Sequence, residues 1–409
     1  MKATPLAAEY DNMLRCIRCA ACLTSCPTYV VTHKEEEGPR GRIAIMRAIV
    51  EGHLDITADG ITHLDNCLLC EACTNVCPAG VQMEQIGIAF RETLAEQTHR
   101  QPPLAARLAF DWLFGDLAHF RLLARAMWLY QRSGVQWLAR HMGIVRLLGV
   151  RDMEALLPRI PDRFVVPGGQ TVGQGERVQI FAGCIMSTAF AATTEATARV
   201  VAAFGCQAEM TARQVCCGAL QAHSGDVPRA QELARVNLDA FGDGGEPIVV
   251  NAAGCGAMLK HYGQLLPDDA RAERFAQRVK DVSEFLATRA AVRPPREVVA
   301  SVAIQDPCHL LHAQRISAAP RSLLGAIPGV RLTEIGERDI CCGSAGIYNV
   351  THAEMSSELQ VRKCASIVAT GCDTVVTGNP GCLVQIQAGL PNCVTVRHIV
   401  DLLDEAYAE

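Results

Sequence analysis

The chain has 409 residues, 49% of them hydrophobic and 20% charged, with a formal net charge of −5 and 20 cysteines. Such a composition excludes a disordered chain, and a small net charge without a long basic run gives no reason to expect a nucleic-acid partner. The segment Met1 to Arg15 mixes Lys2, Glu9, Asp11 and Arg15 and has no apolar core, so no export signal is expected, and the cysteines read as metal ligands kept reduced in the cytosol.

In chain order, the first signal is Cys16-Ile-Arg-Cys19-Ala-Ala-Cys22-Leu-Thr-Ser-Cys26-Pro27, which returns as Cys67-Leu-Leu-Cys70-Glu-Ala-Cys73-Thr-Asn-Val-Cys77-Pro78. Each is C-x2-C-x2-C-x3-C-P, the spacing by which ferredoxin segments hold two cubane clusters, the fourth cysteine of each run reaching across to the other cluster. Cys16, Cys19, Cys22 and Cys77 are therefore expected to hold one 4Fe-4S cluster, and Cys67, Cys70, Cys73 and Cys26 the second. Structural zinc sites use paired C-x2-C arms and not a fourfold run twice over. Between the runs, Gly38-Pro39 before Ile43, Ile45, Met46 and Ile49 predicts a helix with Pro39 in its first turn. Arg40 and Arg42 then sit either beside an anionic cluster or on a solvated helix end, where cations oppose the helix dipole.

Met83 to Thr98 reads as a helix, and Pro102-Pro103 closes a first domain, 1–102. Leu104 to Leu157 is helical in pattern and holds Trp112, Trp128 and Trp137, with Arg121, Arg125, Arg132, Arg140 and Arg146 among apolar residues. Such helices dock on an anionic membrane or a partner, or more commonly pack on the adjacent domain. Prolines 158, 161 and 167 and the run Gly168 to Gly175 read as a linker, which completes a region 103–175. The uncharged stretches Val178 to Thr194 and Thr374 to Val396 are broken by Gly, Pro or Asn, so no transmembrane helix is expected.

From Val178 onward the chain repeats itself. A strand at Val178 to Ala182 runs into Cys184, and a helix from Ala189 to Phe204 precedes Cys216-Cys217-Gly218. A helix from Pro228 to Phe241 and a strand from Pro247 to Asn251 lead to Cys255. The second copy has a strand at Val302 to Gln305, then Cys308, Cys341-Cys342-Gly343, a helix from Ala353 to Ala369, a strand from Asp373 to Thr377, and Cys382. The intervals agree: 32 and 33 residues from single to paired cysteine, 38 and 40 from the pair to the last. Alternating strands and helices imply parallel sheets, whose strand ends gather ligands at one edge. Cys184, Cys216, Cys217 and Cys255 thus form one candidate metal set, and Cys308, Cys341, Cys342 and Cys382 another, in domains 176–292 and 293–409. Cys206, Cys364, Cys372 and Cys393 are assigned to packing.

These residues resemble the cysteine-rich CCG domains found in heterodisulfide reductases and their relatives, placed behind a two-cluster ferredoxin domain. The same order is similar to the third subunit of anaerobic glycerol-3-phosphate dehydrogenase. Glu37-Gly-Pro-Arg-Gly-Arg-Ile43, Gly254-Cys-Gly-Ala257 with Lys260 and Tyr262-Gly263-Gln264, and Cys341-Cys-Gly-Ser-Ala-Gly346 resemble most closely the glycolate oxidase iron-sulfur subunits, over nearly the whole chain.

The resemblance implies an α+β multidomain fold: a mostly helical ferredoxin-type domain, a helical linker and two α/β CCG domains. It implies an electron-transfer subunit, itself without a substrate-converting residue, which takes electrons from FAD-containing partners that oxidise glycolate or D-lactate and passes them towards a membrane quinone. The expected location is cytoplasmic, peripheral on the inner face of the membrane. The alternatives are a CCG site that itself reduces a disulfide or quinone, or a subunit of a glycerol-3-phosphate or D-lactate dehydrogenase. Where the full pattern has a fifth cysteine in each copy, this chain has Met258 and Gln385, poor ligands that do not carry over a non-cubane cluster. Each CCG site could hold a four-thiolate cubane, or one could be structural or take zinc, with His309 or His312 as a spare ligand.

Overall fold

The computed structural model describes residues 4–98, 112–147 and 149–407. Its N-terminal part is helical. Helices Pro5–Ala8, Tyr10–Leu14, Pro39–Val50, Ala58–Asp65 and Met83–Thr98 enclose a core of Leu6, Met13, Ile43, Met46, Leu64, Ile86 and Phe90. Pro39 occupies the first helical position behind Gly38, where its missing N–H costs no hydrogen bond. The Asn12 amide clasps the backbone at Gln82 in both directions, which ties the chain's start to the segment leaving the second cysteine run.

The boundary at Pro102-Pro103 lies outside the described residues. Beyond it, helix Leu117–Arg132 starts at Asp116, whose carboxylate accepts from the Ala118 amide, and is followed by helices Val135–His141, Ile144–Leu147 and Arg151–Ala155. Phe114 packs into the core of the first sheet, with Phe120 against it, and the Trp128 indole donates to Asp162. The opposite side stays open: Leu122, Leu129, Trp137, Met142 and Leu147 are all exposed. Docking on the neighbour thus accounts for one face of this region only. The glycine run read as a linker is a tight turn carrying a strand of its own, and a side chain at Gly175 would lie 2.2 Å from the Gly205 carbonyl.

Two sheets follow. The first contains β1 (Thr171–Val172), β2 (Glu176–Phe181), β3 (Cys206–Met210), β4 (Ile248–Val250) and β5 (Val279–Asp281), in the order β1-β3-β2-β4-β5. The second contains β6 (Ala300–Ile304), β7 (Val330–Glu334), β8 (Thr374–Thr377) and β9 (Thr395–His398), in the order β7-β6-β8-β9. All pairings are parallel except that of β1 with β3. Without β1, the two sheets have the same topology. Four strands that the sequence pattern does not announce, β3, β5, β7 and β9, are short, polar and set towards the sheet edges, where half-exposure erases the apolar run that betrays a central strand.

The sheets share one core, in which Val178 and Ile180 meet Val302 and Ile304 through the helices between them. Helix Ala191–Ala203 packs on Ile399–Tyr407, and Val282–Ala287 on Ala318–Gly325, so each copy offers its early helix to the other's late one. Strand ends meet as well: the Ala253 amide donates to the Gly378 carbonyl, and Gly254 to the Asn379 side chain. Cys255 and Cys382 thereby start their helices from adjoining positions.

Candidate metal centres

Each N-terminal cysteine run is shaped by two residues in the left-handed region at equivalent places: Arg18 and Ala20 in the first, Leu69 and Glu71 in the second. Non-glycine residues adopt that conformation at a cost, and here it coils the chain so that sulfurs three residues apart turn inward. Cys16, Cys19, Cys22 and Cys77 line one cavity. Cys26, Cys67, Cys70 and Cys73 line a second, and Cys73 forms part of the wall of both.

A guanidinium stands at each cavity. Arg40 borders the first, pairs with Glu35 and donates to the Arg18 carbonyl. Arg42 lies beneath the second, 1% exposed, with donors on the Glu37 carboxylate at 2.8 Å, the Thr28 hydroxyl at 3.0 Å and the His63 carbonyl at 2.8 Å, and with Cys26 Sγ at 4.0 Å. Burial works against its charge, but Cys67, Cys26 and Glu37 around it hold it protonated. Burial pushes the Cys22 thiol up to about 11 and lifts Cys70 and Cys73 well above the usual range. Thiols so placed keep their protons until a metal cation replaces them. Four sulfurs around a cavity beside a fixed cation fit an anionic iron-sulfur group.

In the first repeat, Cys184 and Cys216 lie 3.9 Å apart, and Cys217 approaches Cys255. In the second, Cys308 and Cys341 lie 3.8 Å apart, and Cys342 approaches Cys382. Among the described residues, no three cysteine sulfurs lie within 4.8 Å of one another. A single tetrahedral zinc with bonds of roughly 2.3 Å needs all of its sulfurs about 3.8 Å apart. Met258 packs in the apolar core with Cys216 and Cys217, and the Gln385 amide is spent on Ser356 and Asn349.

The two histidines read as spare ligands each make hydrogen bonds of their own. His309 Nε2 bonds the Leu69 carbonyl, and His312 bonds Asn75 and the Asp339 carbonyl. Cys206, Cys364 and Cys372 are buried as expected of packing residues, whereas Cys393 is exposed in the turn before β9.

Sequence reasoning missed a second assembly altogether, in which Glu71, Glu84, His223, His261 and His309 converge where the Cys67 to Cys77 run meets the repeats. Burial and the neighbouring Glu84 push Glu71 up to about 8, while burial and His223 push His309 down to about 4. Its members come from distant parts of the chain, so no spacing announces them. At the same junction Cys70 packs with Cys341 of the second repeat, with Cys308 against them.

Comparison with known proteins gives three family matches: a 4Fe-4S dicluster domain at residues 12–81, the linker region of glycolate oxidase iron-sulfur subunits at 101–157, and a cysteine-rich domain at both 178–260 and 302–387. A probable glycolate oxidase iron-sulfur subunit of Bacillus subtilis is 38% identical over 97% of this chain and 95% of its own length. The glycolate oxidase iron-sulfur subunit of Escherichia coli is 30% identical, over 99% and 97%. A fumarate reductase (CoM/CoB) subunit of Methanothermobacter marburgensis is 28% identical, over 96% and 72%.

Proposed function

The chain belongs to the glycolate oxidase iron-sulfur subunit family, and on that footing we propose that it carries electrons from FAD-containing subunits, which oxidise glycolate or D-lactate, towards a membrane quinone. The observation behind this reading is the crosswise gathering of eight cysteines around two cavities that share Cys73. Cys16, Cys19, Cys22 and Cys77 would hold one 4Fe-4S cluster, and Cys67, Cys70, Cys73 and Cys26 the other. When bound, such clusters supply one-electron carriage between a two-electron flavin and its acceptor.

The chain's own residues set a direction. Cys19 and the 69%-exposed Ile17 beside it open the first cavity to a docking flavoprotein. Cys26, Cys70 and Arg42 are buried, and Cys70 leads through Cys308 and Cys341 into the second repeat. Cys308, Cys341, Cys342 and Cys382 would hold a further iron-sulfur group, and Cys184, Cys216, Cys217 and Cys255 offer the same donor set in the first repeat. We propose the division into units 1–102, 103–175, 176–292 and 293–409, with β1 of the third stretch's sheet contributed from the end of the second. No helix among the described residues is long and apolar enough to cross a membrane, so quinone would be met by a peripheral attachment on the inner face. The exposed Trp137, Leu122 and Leu129 beside Arg121 and Arg125 suit that attachment.

In the assembled complex, Cys19→Ser or Cys70→Ser should abolish quinone reduction while glycolate still bleaches the flavin, followed by stopped-flow absorbance. Loss of flavin reduction as well would overturn the relay. Iron analysis of the anaerobic wild-type chain should give twelve or more irons, against about eight for two cubanes alone.

A further inference from the structure

Where the N-terminal helices meet the first repeat, the protein buries carboxylates and imidazoles that none of the cysteine sites uses. Glu84, near the start of helix Met83–Thr98, is 9% exposed, and Glu71, inside the second cysteine run, is 6% exposed. Glu84 Oε2 lies 3.1 Å from His261 Nδ1, and its Oε1 lies 3.1 Å from His223 Nε2. The ligand atoms of Glu71, Glu84 and His261 all fall within 4.8 Å of one another, as do those of Glu84, His223 and His309.

One atom in this assembly is unaccounted for: Glu71 Oε1 is buried and has no hydrogen-bond partner. A buried polar atom without a partner costs about 1–3 kcal/mol, and two buried carboxylates facing each other are relieved either by a proton on one of them or by a cation between them. Two carboxylate oxygens and one imidazole nitrogen make a donor set that zinc, ferrous iron or manganese accepts, and it leaves a coordination position free. The His261 side chain, 26% exposed, gives a path from solvent.

We propose that Glu71, Glu84 and His261 bind one divalent first-row transition-metal ion, separate from every cysteine-bound centre, with His223 fixing the second oxygen of Glu84. Because Glu71 and Glu84 belong to the N-terminal part and His261 to the first repeat, the ion bolts the two together. It does so beside the Cys26–Cys67–Cys70–Cys73 cavity, whose wall includes both carboxylates. The bolt is a geometric device and does not depend on the identity of the electron donor or acceptor.

The test is calorimetric titration of Zn²⁺ into the anaerobically purified, EDTA-washed full chain, with acid-labile sulfide measured on the same samples. Wild type should take up about one equivalent more than either His261→Asn or Glu71→Gln, with sulfide equal in all three. Identical zinc uptake in the three proteins would overturn the proposal. So would loss of sulfide in step with zinc in both variants, since the ion would then belong to a cysteine centre. Sulfide content reports the iron-sulfur reading independently, so failure of one inference is distinguishable from failure of the other.

Discussion

The two repeats have one topology and different surroundings for their thiols. In the first, the neighbours are neutral: the Tyr262 hydroxyl donates to the Cys217 carbonyl, Asn237 donates to the Cys216 carbonyl and to Tyr262, and Met258 fills the side. In the second, Lys363 is 1% exposed, with Nζ on the Glu337 carbonyl at 2.7 Å; burial lowers its pKa, and all four thiols work against that by favouring its charge. Asn379 donates to Cys382 Sγ at 3.4 Å. A duplicated scaffold has thus kept its ligands and altered the compensation of charge around them. Only the second copy also adjoins Cys70.

The sharpest way to break this contrast is to remove one thiol from each repeat. Cys342→Ser should cost about four irons per chain and nearly all quinone reduction. Cys217→Ser should spare a measurable fraction of quinone turnover, because its site lies off the path from Cys70. Equal loss of turnover in the two variants would erase the distinction. A smaller effect is expected from Lys363→Met. Leaving the Glu337 carbonyl without its donor should lower stability by about 1–3 kcal/mol in denaturant titrations. Loss of the cation should also move the second repeat's centre to lower potential in an EPR-monitored redox titration while the first repeat's stays put. Smallest should be Tyr262→Phe, about 1 kcal/mol for the lost hydrogen bonds, with no change in either potential.

Much of this was legible beforehand, for definite reasons. The cysteine runs are read from spacing because their ligands are local, and the repeat is read from strands β2, β4, β6 and β8 because they are central and apolar. The flanking strands carry Glu209, Lys280, Arg331 and Arg397, which break the apolar signal. Nor does any local pattern join Glu84 to His223, 139 residues away. Such a contact exists only where the N-terminal part meets the first repeat.

The left-handed residues in the two cysteine runs imply an order of manufacture. Arg18, Ala20, Leu69 and Glu71 each hold a conformation costing about 1–3 kcal/mol, which bonds from sulfur to metal would repay. The Leu69 carbonyl receives His309, and Asn66, just ahead of the run, receives the Tyr348 hydroxyl. Cluster bonds at these thiols would thus support the face on which the second repeat docks. Insertion of iron should come first and closure of the three parts second, so that a finished shape certifies a loaded subunit.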